Sequence, residues 1–172
     1  MKTITKPGKQ RGVVAIEMAL ILPLMLILTF GITEIGRALY QYNGLVKATR
    51  GAARYLAQYD LANEDATAVR DNAIKWAVYG APTSCRDAKQ LECTYPATPL
   101  VPGLNEAQVT PCDYLTCATH KGVLTGQGTV DLVTVTIGGL GDKAFRFKSM
   151  VSYVVPDFDF SAIQTTMASR YF

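Results

Sequence analysis

Between Met18 and Thr33 the chain carries no charged side chain. Counted from Val13, the apolar run is roughly 21 residues, or about 31 Å of helix at about 1.5 Å per residue. That length matches a hydrocarbon core of about 30 Å and predicts one membrane-spanning helix over 13–33. Pro23 is the one breaker within it, removing a helical hydrogen bond and predicting a kink. Beyond Thr33 the pattern changes without an obvious stop. Ile32, Ile35, Leu39, Tyr42, Val46, Thr49, Ala53 and Leu56 recur at alternating spacings of three and four, a heptad seam, with Arg37, Gln41, Lys47 and Arg54 opposite. Such a seam packs either on the chain's own globular part or on the helix of another subunit, and the two uses can coexist. Gly31, Gly36, Gly44 and Gly51 weaken the helix but allow close approach of a neighbour.

A second helix is expected from Glu64 to Tyr79. Asn63 is its candidate cap, Ala66, Val69, Ala73 and Trp76 form its apolar face, and Gly80 and Pro82 end it. Residues 81–127 read as loop, with Pro82, Pro96, Pro99, Pro102 and Pro111 among turn residues. Further on, Val133, Val135 and Ile137 alternate with threonines. A glycine-rich turn follows at 138–142, and then Phe145, Phe147, Val151, Tyr153 and Val155 share one side. This predicts an antiparallel hairpin over 129–156 with one buried face, stopped by Pro156, and an edge strand over 165–172. The glycines at 138–141 lack the lysine and following helix of a phosphate-binding loop. The fold class is therefore α+β: a long N-terminal transmembrane helix continuing into an amphipathic one, with a small antiparallel sheet head. The organisation is a basic leader at 1–12, the span at 13–33 and a domain at 34–172, helical over 34–79.

Composition narrows the function. Of 172 residues, about 135 remain after leader and span, enough for one small domain. The net charge is +3, and Lys2, Lys6, Lys9 and Arg11 of the leader supply all of it, so a nucleic-acid partner is not expected. The basic leader places the N-terminus in the cytoplasm. Arg37, Lys47, Arg50 and Arg54 beyond the span blur that signal. The four cysteines of the C-terminal part prefer an oxidising periplasm. Local pairing, Cys85 with Cys93 and Cys112 with Cys117, closes two short loops and is the preferred connectivity of the three that four cysteines allow. Zinc held by Cys112, Cys117, His120 and another cysteine is the alternative, though the spacing matches no standard zinc motif, and no metal or other cofactor is expected. His120 is the lone histidine and has no catalytic partner near it in sequence, so no enzymatic activity is expected. A cleaved secretory signal ending near Thr29-Phe30-Gly31 is a rival to the anchor.

Glu17 is the anomaly of the apolar run. A carboxylate deep in lipid costs a few kcal/mol, less near the interface. It either snorkels into headgroups or meets a positive partner within an assembly. Gly12 lies directly before Val13, and Glu17 is then the fifth residue. Basic leader, glycine, apolar residues and a fifth-position glutamate together resemble a prepilin peptidase site. Glycine suits a cleft that accepts extended backbone. More specifically, Gly12, Ala15, Glu17, Pro23, Gly31 and the Ala-rich segment from Ala48 to Ala57 resemble the N-terminal region of TadE-like proteins, pseudopilins of the tight-adherence (Tad, Flp-type) pilus. The likeness covers about the first third of the chain. Met18 stands where the major Flp pilin has tyrosine, and the chain is far longer than that pilin, so a minor pilin or pseudopilin is the better match.

The resemblance implies a pilin-like fold and cleavage between Gly12 and Val13 by a prepilin peptidase. It implies pairing of Glu17 with the amine of a neighbouring subunit and a part in pilus assembly and adherence. The implied partners are other pilin and pseudopilin subunits, the inner-membrane assembly machinery and the bilayer, and the implied location is the bacterial inner membrane with the head in the periplasm. An unprocessed single-pass periplasmic binding or adhesion module is the alternative.

Overall fold

The computed structural model describes residues 11–86, 91–126, 128–139 and 141–170. The leader's Lys2, Lys6 and Lys9, and the chain end at 171–172, lie outside the described residues. One helix, α1 (Arg11–Leu56), runs unbroken through Pro23. The second, α2 (Ala66–Tyr79), starts later than its acidic residues suggest. Asp65 rather than Asn63 is the cap, accepting hydrogen bonds from the backbone N–H groups of Thr67 and Ala68. Asn63 instead donates to the Asp60 carboxylate at 2.6 Å, within the turn that separates the helices.

The strands follow in short pieces: β1 (Ser84–Cys85), β2 (Cys93–Thr94), β3 (Val109–Asp113), β4 (Val123–Thr125), β5 (Gly128–Val130), β6 (Leu132–Ile137), β7 (Phe145–Phe147), β8 (Phe158–Phe160) and β9 (Ile163–Ala168). The central sheet is antiparallel in the order β3-β6-β9, and the other strands form two-stranded ribbons. This corrects the expected 129–156 hairpin. β6 pairs with β3 and β9, whereas β7 pairs with β8, Phe145 opposite Phe160 and Phe147 opposite Phe158. The alternation at Val151, Tyr153 and Val155 is not a strand. Met150 donates its backbone N–H to Glu34, Val151 donates to the Ser149 hydroxyl, and Val154 and Val155 both donate to the Val151 carbonyl. Two side-chain acceptors and one turn carbonyl take the donors that a ladder would need. The middle segment also holds more than loop. β3 carries Pro111, which an edge strand tolerates.

One face of the sheet lies on the helices. Val133, Val135 and Ile137 are buried there with Leu45, Ala48, Ala52, Ala53 and Leu56 of α1 and Val69, Ala73 and Ala77 of α2. The Thr165 hydroxyl of β9 bonds to that of Thr49 at 3.0 Å. Alanines on α1 bring the layers together, and two glycines admit larger groups. A Cβ on Gly44 would lie 2.8 Å from Val101 Cγ2, and one on Gly51 would lie 3.0 Å from Trp76 Nε1. These glycines therefore serve the chain's own head.

Arg70 of α2 closes the core on the β3 side. Its Nε donates to Asp113 Oδ2 at 2.6 Å and its Nη2 to Oδ1 at 3.1 Å. Burial pushes the Asp113 pKa upward. The Arg70 hydrogen bonds, the backbone N–H groups of Leu115 and Thr116 and the Arg70 charge outweigh it, and the carboxyl sits below its ordinary value.

Disulfides join Cys85 to Cys93 and Cys112 to Cys117. Cross-linking a loop this short restricts the unfolded chain by about 2 kcal/mol. A Cys112→Ser, Cys117→Ser double variant is expected to lose about that much stability, read as a lowered denaturation midpoint.

Candidate functional site

The candidate site is the stem, α1, and the way the head sits on it. The stem's first part is apolar and uncovered. Its best 18-residue window has a mean hydropathy of 2.5 with none of it buried, so it is long and apolar enough to cross a membrane. Gly12, Val13 and Glu17 all lie in this exposed part. A Cβ on Gly12 would meet nothing within 4 Å. The Thr29 and Thr33 hydroxyls donate to the carbonyls of Met25 and Phe30, so both are satisfied within the helix, as a lipid environment requires.

The seam divides in two. Thr49, Ala53 and Leu56 are buried against the head, and Val46 is partly so. Ile32, Ile35, Leu39 and Tyr42 are exposed. Over that lower half the head takes the neighbouring stripe instead, burying Glu34, Ala38 and Gln41. Gln41, expected on the polar face, is thus a head-facing residue. The reason is local chemistry. The Glu34 carboxylate accepts from Arg37 at 2.7 Å and from the Met150 backbone N–H at 3.2 Å. Arg37 also donates to the Lys148 carbonyl, and its guanidinium lies 4.5 Å from the centre of the Phe147 ring. A charged pair therefore seats the β7–β8 ribbon on the stem. The i,i+3 spacing of Glu34 and Arg37 was visible in the sequence, but their partners lie more than a hundred residues away.

Beside this ribbon Ile35, Ala38, Leu39 and Tyr42 line an apolar groove with Val155, Phe158 and Phe160. Tyr42 and Phe160 are in aromatic contact, with ring centres 5.8 Å apart. Gly36 faces open space.

Cys112, Cys117 and His120 bring three potential ligand atoms within 4.8 Å of one another. The two sulfurs are bonded to each other, and a disulfide is not the thiolate that zinc takes. The His120 ring nitrogens lie 2.7 Å from the Thr134 hydroxyl and 3.0 Å from that of Thr119. The trio covers the outer face of β6 and, in this oxidised state, is structural.

The family model described as TadE-like protein matches residues 12–54. That is about a quarter of the chain, and it is the stem almost from end to end. No curated protein and no solved structure matches the chain.

Proposed function

We propose that the chain is a non-enzymatic, membrane-anchored pseudopilin, or minor pilin, that takes part in assembling a Tad (Flp-type) pilus. The similarity of residues 12–54 to TadE-like proteins supports this, and one observation about the stem carries it furthest. Leu39 and Tyr42 are exposed although they continue the apolar seam. They lie 26 and 29 residues beyond Val13, roughly 39 and 44 Å along the helix. A hydrocarbon core of about 30 Å that begins at Val13 ends well below them. Lipid does not reach this strip and the chain's own head only flanks it, with Phe160 at Tyr42, so the exposed remainder is suited to the stem of another pilin-type subunit. In the same reading, 1–12 is a cytoplasmic leader, 13–33 spans the inner membrane and 34–172 is periplasmic. A prepilin peptidase cuts after Gly12, and Glu17 pairs with the new amine of a neighbour.

The deciding measurement is the N-terminal residue of the protein isolated from its native membrane, by mass spectrometry. A chain that starts at Val13 is expected, and a Gly12→Leu variant is expected to accumulate uncut. A native chain still starting at Met1 would replace this reading with an unprocessed anchored module. A start near Ile32 would make the span a cleaved signal.

A further inference from the structure

The contacts of the head with α1 form a ladder. The Arg170 N–H bonds to the Ala57 carbonyl just past the top of α1, Trp76 lies at Gly51, Thr165 at Thr49, Val101 at Gly44 and Phe160 at Tyr42. Below these, Lys148 meets Arg37, Met150 meets Glu34, and Val154 Cγ1 stands 3.6 Å from where a Gly31 Cβ would be. The lowest rungs all come from the loop between β7 and β8. Gly31 is 18 residues beyond Val13, about 27 Å along the helix, and so within a hydrocarbon core of about 30 Å that begins at Val13. At this level the loop holds out two large side chains, with Met150 82% and Tyr153 92% exposed.

We propose that the 148–155 loop is a second membrane contact, with Met150 and Tyr153 in the acyl–headgroup boundary at the C-terminal end of the span. This rests on the reading of 13–33 as a membrane anchor. Tyrosine suits that boundary because its ring is apolar and its hydroxyl reaches water. The contact is apolar rather than ionic. Lys148 and Arg146 on the flanks are balanced by Asp157 and Asp159, and Arg146 is itself 3.7 Å from Asp159. The loop is also held in shape before it meets lipid, since Asp157 accepts the Ser149 N–H at 2.8 Å and Glu34 accepts that of Met150. With one helix as the only tether, the head would be free to tilt. A second contact beside the helix sets its angle to the bilayer.

The native cysteines are all in disulfides, so an introduced cysteine can be labelled alone. Full-length Tyr153→Cys, Leu22→Cys and Leu124→Cys proteins, each carrying an environment-sensitive maleimide dye, are placed in phosphatidylethanolamine–phosphatidylglycerol vesicles with brominated acyl chains. Leu22 marks the span. Leu124 is 84% exposed, in the β4–β5 ribbon. That ribbon is tied by the Gly122–Asp131 bond near the Ala57 end of the ladder. The expected result is blue-shifted, bromine-quenched emission at 22 and 153 and water-like emission at 124. Quenching at 22 with water-like emission at 153 would overturn the loop contact and leave the anchor standing. A dye at 153 that is shielded from aqueous quencher but not quenched by bromine would mean that protein covers the loop, which also overturns it. Water-like emission at 22 would overturn the anchor and the loop contact together.

Discussion

Replacing Arg70 with methionine is expected to cost about 3–5 kcal/mol of unfolding free energy at neutral pH, the range for removing one partner of a buried ion pair. The asymmetry of exposure sets the choice of residue. The Asp113 side chain is fully buried, while that of Arg70 is 21% exposed. Losing Asp113 leaves a guanidinium that can turn towards water. Losing Arg70 leaves a carboxylate with only the Leu115 and Thr116 N–H groups and no counter-charge. The folded-state pKa of Asp113 in the native protein lies below the unfolded value of about 3.9. The pair's contribution is therefore complete above about pH 4 and is lost as the pH falls through the folded value. In the Arg70→Met protein the buried carboxyl gains by taking up a proton, so its deficit shrinks as the pH falls. Denaturant titrations of both proteins at neutral pH and near pH 3 test this. An equal gap at the two pH values would mean that methionine disturbs packing and that the ion pair contributes little.

If the chain is the pilus-assembly subunit proposed above, Glu17→Gln is expected to abolish or severely reduce pilus assembly while leaving the protein in the membrane. On insertion scales a charge at the centre of a spanning helix costs about 2.5–3.5 kcal/mol, and less near its ends. Glu17 is the fifth residue counted from Val13, exposed on α1, with about 6 Å of helix between the two. Glutamine keeps the shape and lowers the cost of insertion, so less protein in the membrane is not the expected outcome. What it removes is the charge that would hold a neighbour's amine in a medium of low dielectric, where an ammonium needs a partner. Membrane fractionation beside a count of pili separates the two effects. Normal piliation would make Glu17 an interfacial residue without a role in assembly.

The stem was legible because its signals are local. A charge-free run, a glycine before Val13 and a glutamate at the fifth position can be read without knowing what packs where. The two halves of the seam were not separable. The pattern at Ile32 to Tyr42 is the same as at Val46 to Leu56, and only the placement of the head decides which half is covered. Gln41 looked polar and solvent-facing because its burial depends on the β7–β8 ribbon, folded from residues a hundred positions away. The sheet was half visible. Val133, Val135 and Ile137 alternate as a strand does, but no residue-level signal says that β6 pairs with β3 and β9 rather than with the next alternating segment. β3 was obscured by Pro111 and Cys112, which read as loop unless the strand is known to be an edge. Beyond Phe147 the alternation persists but the strand does not, because Ser149, Asp157 and Glu34 capture backbone donors there.

One continuous helix is both the apolar run that fits a membrane anchor and the strut of the core, and this has a mechanical consequence. Leu45, Ala52 and Leu56 are wedged in the head with no hinge between them and the apolar run below. An axial pull on the anchor loads the core in shear along several turns at once, so many contacts must give together. Torsion is transmitted as rigidly. One residue inserted between Gly12 and Phe30, in the uncovered stretch below the head's lowest contact at Gly31, would raise the head by about 1.5 Å and swing it through about 100° relative to the start of the helix. The length of that uncovered stretch therefore acts as an angular index, setting which side of the head faces a neighbour once the anchors are side by side.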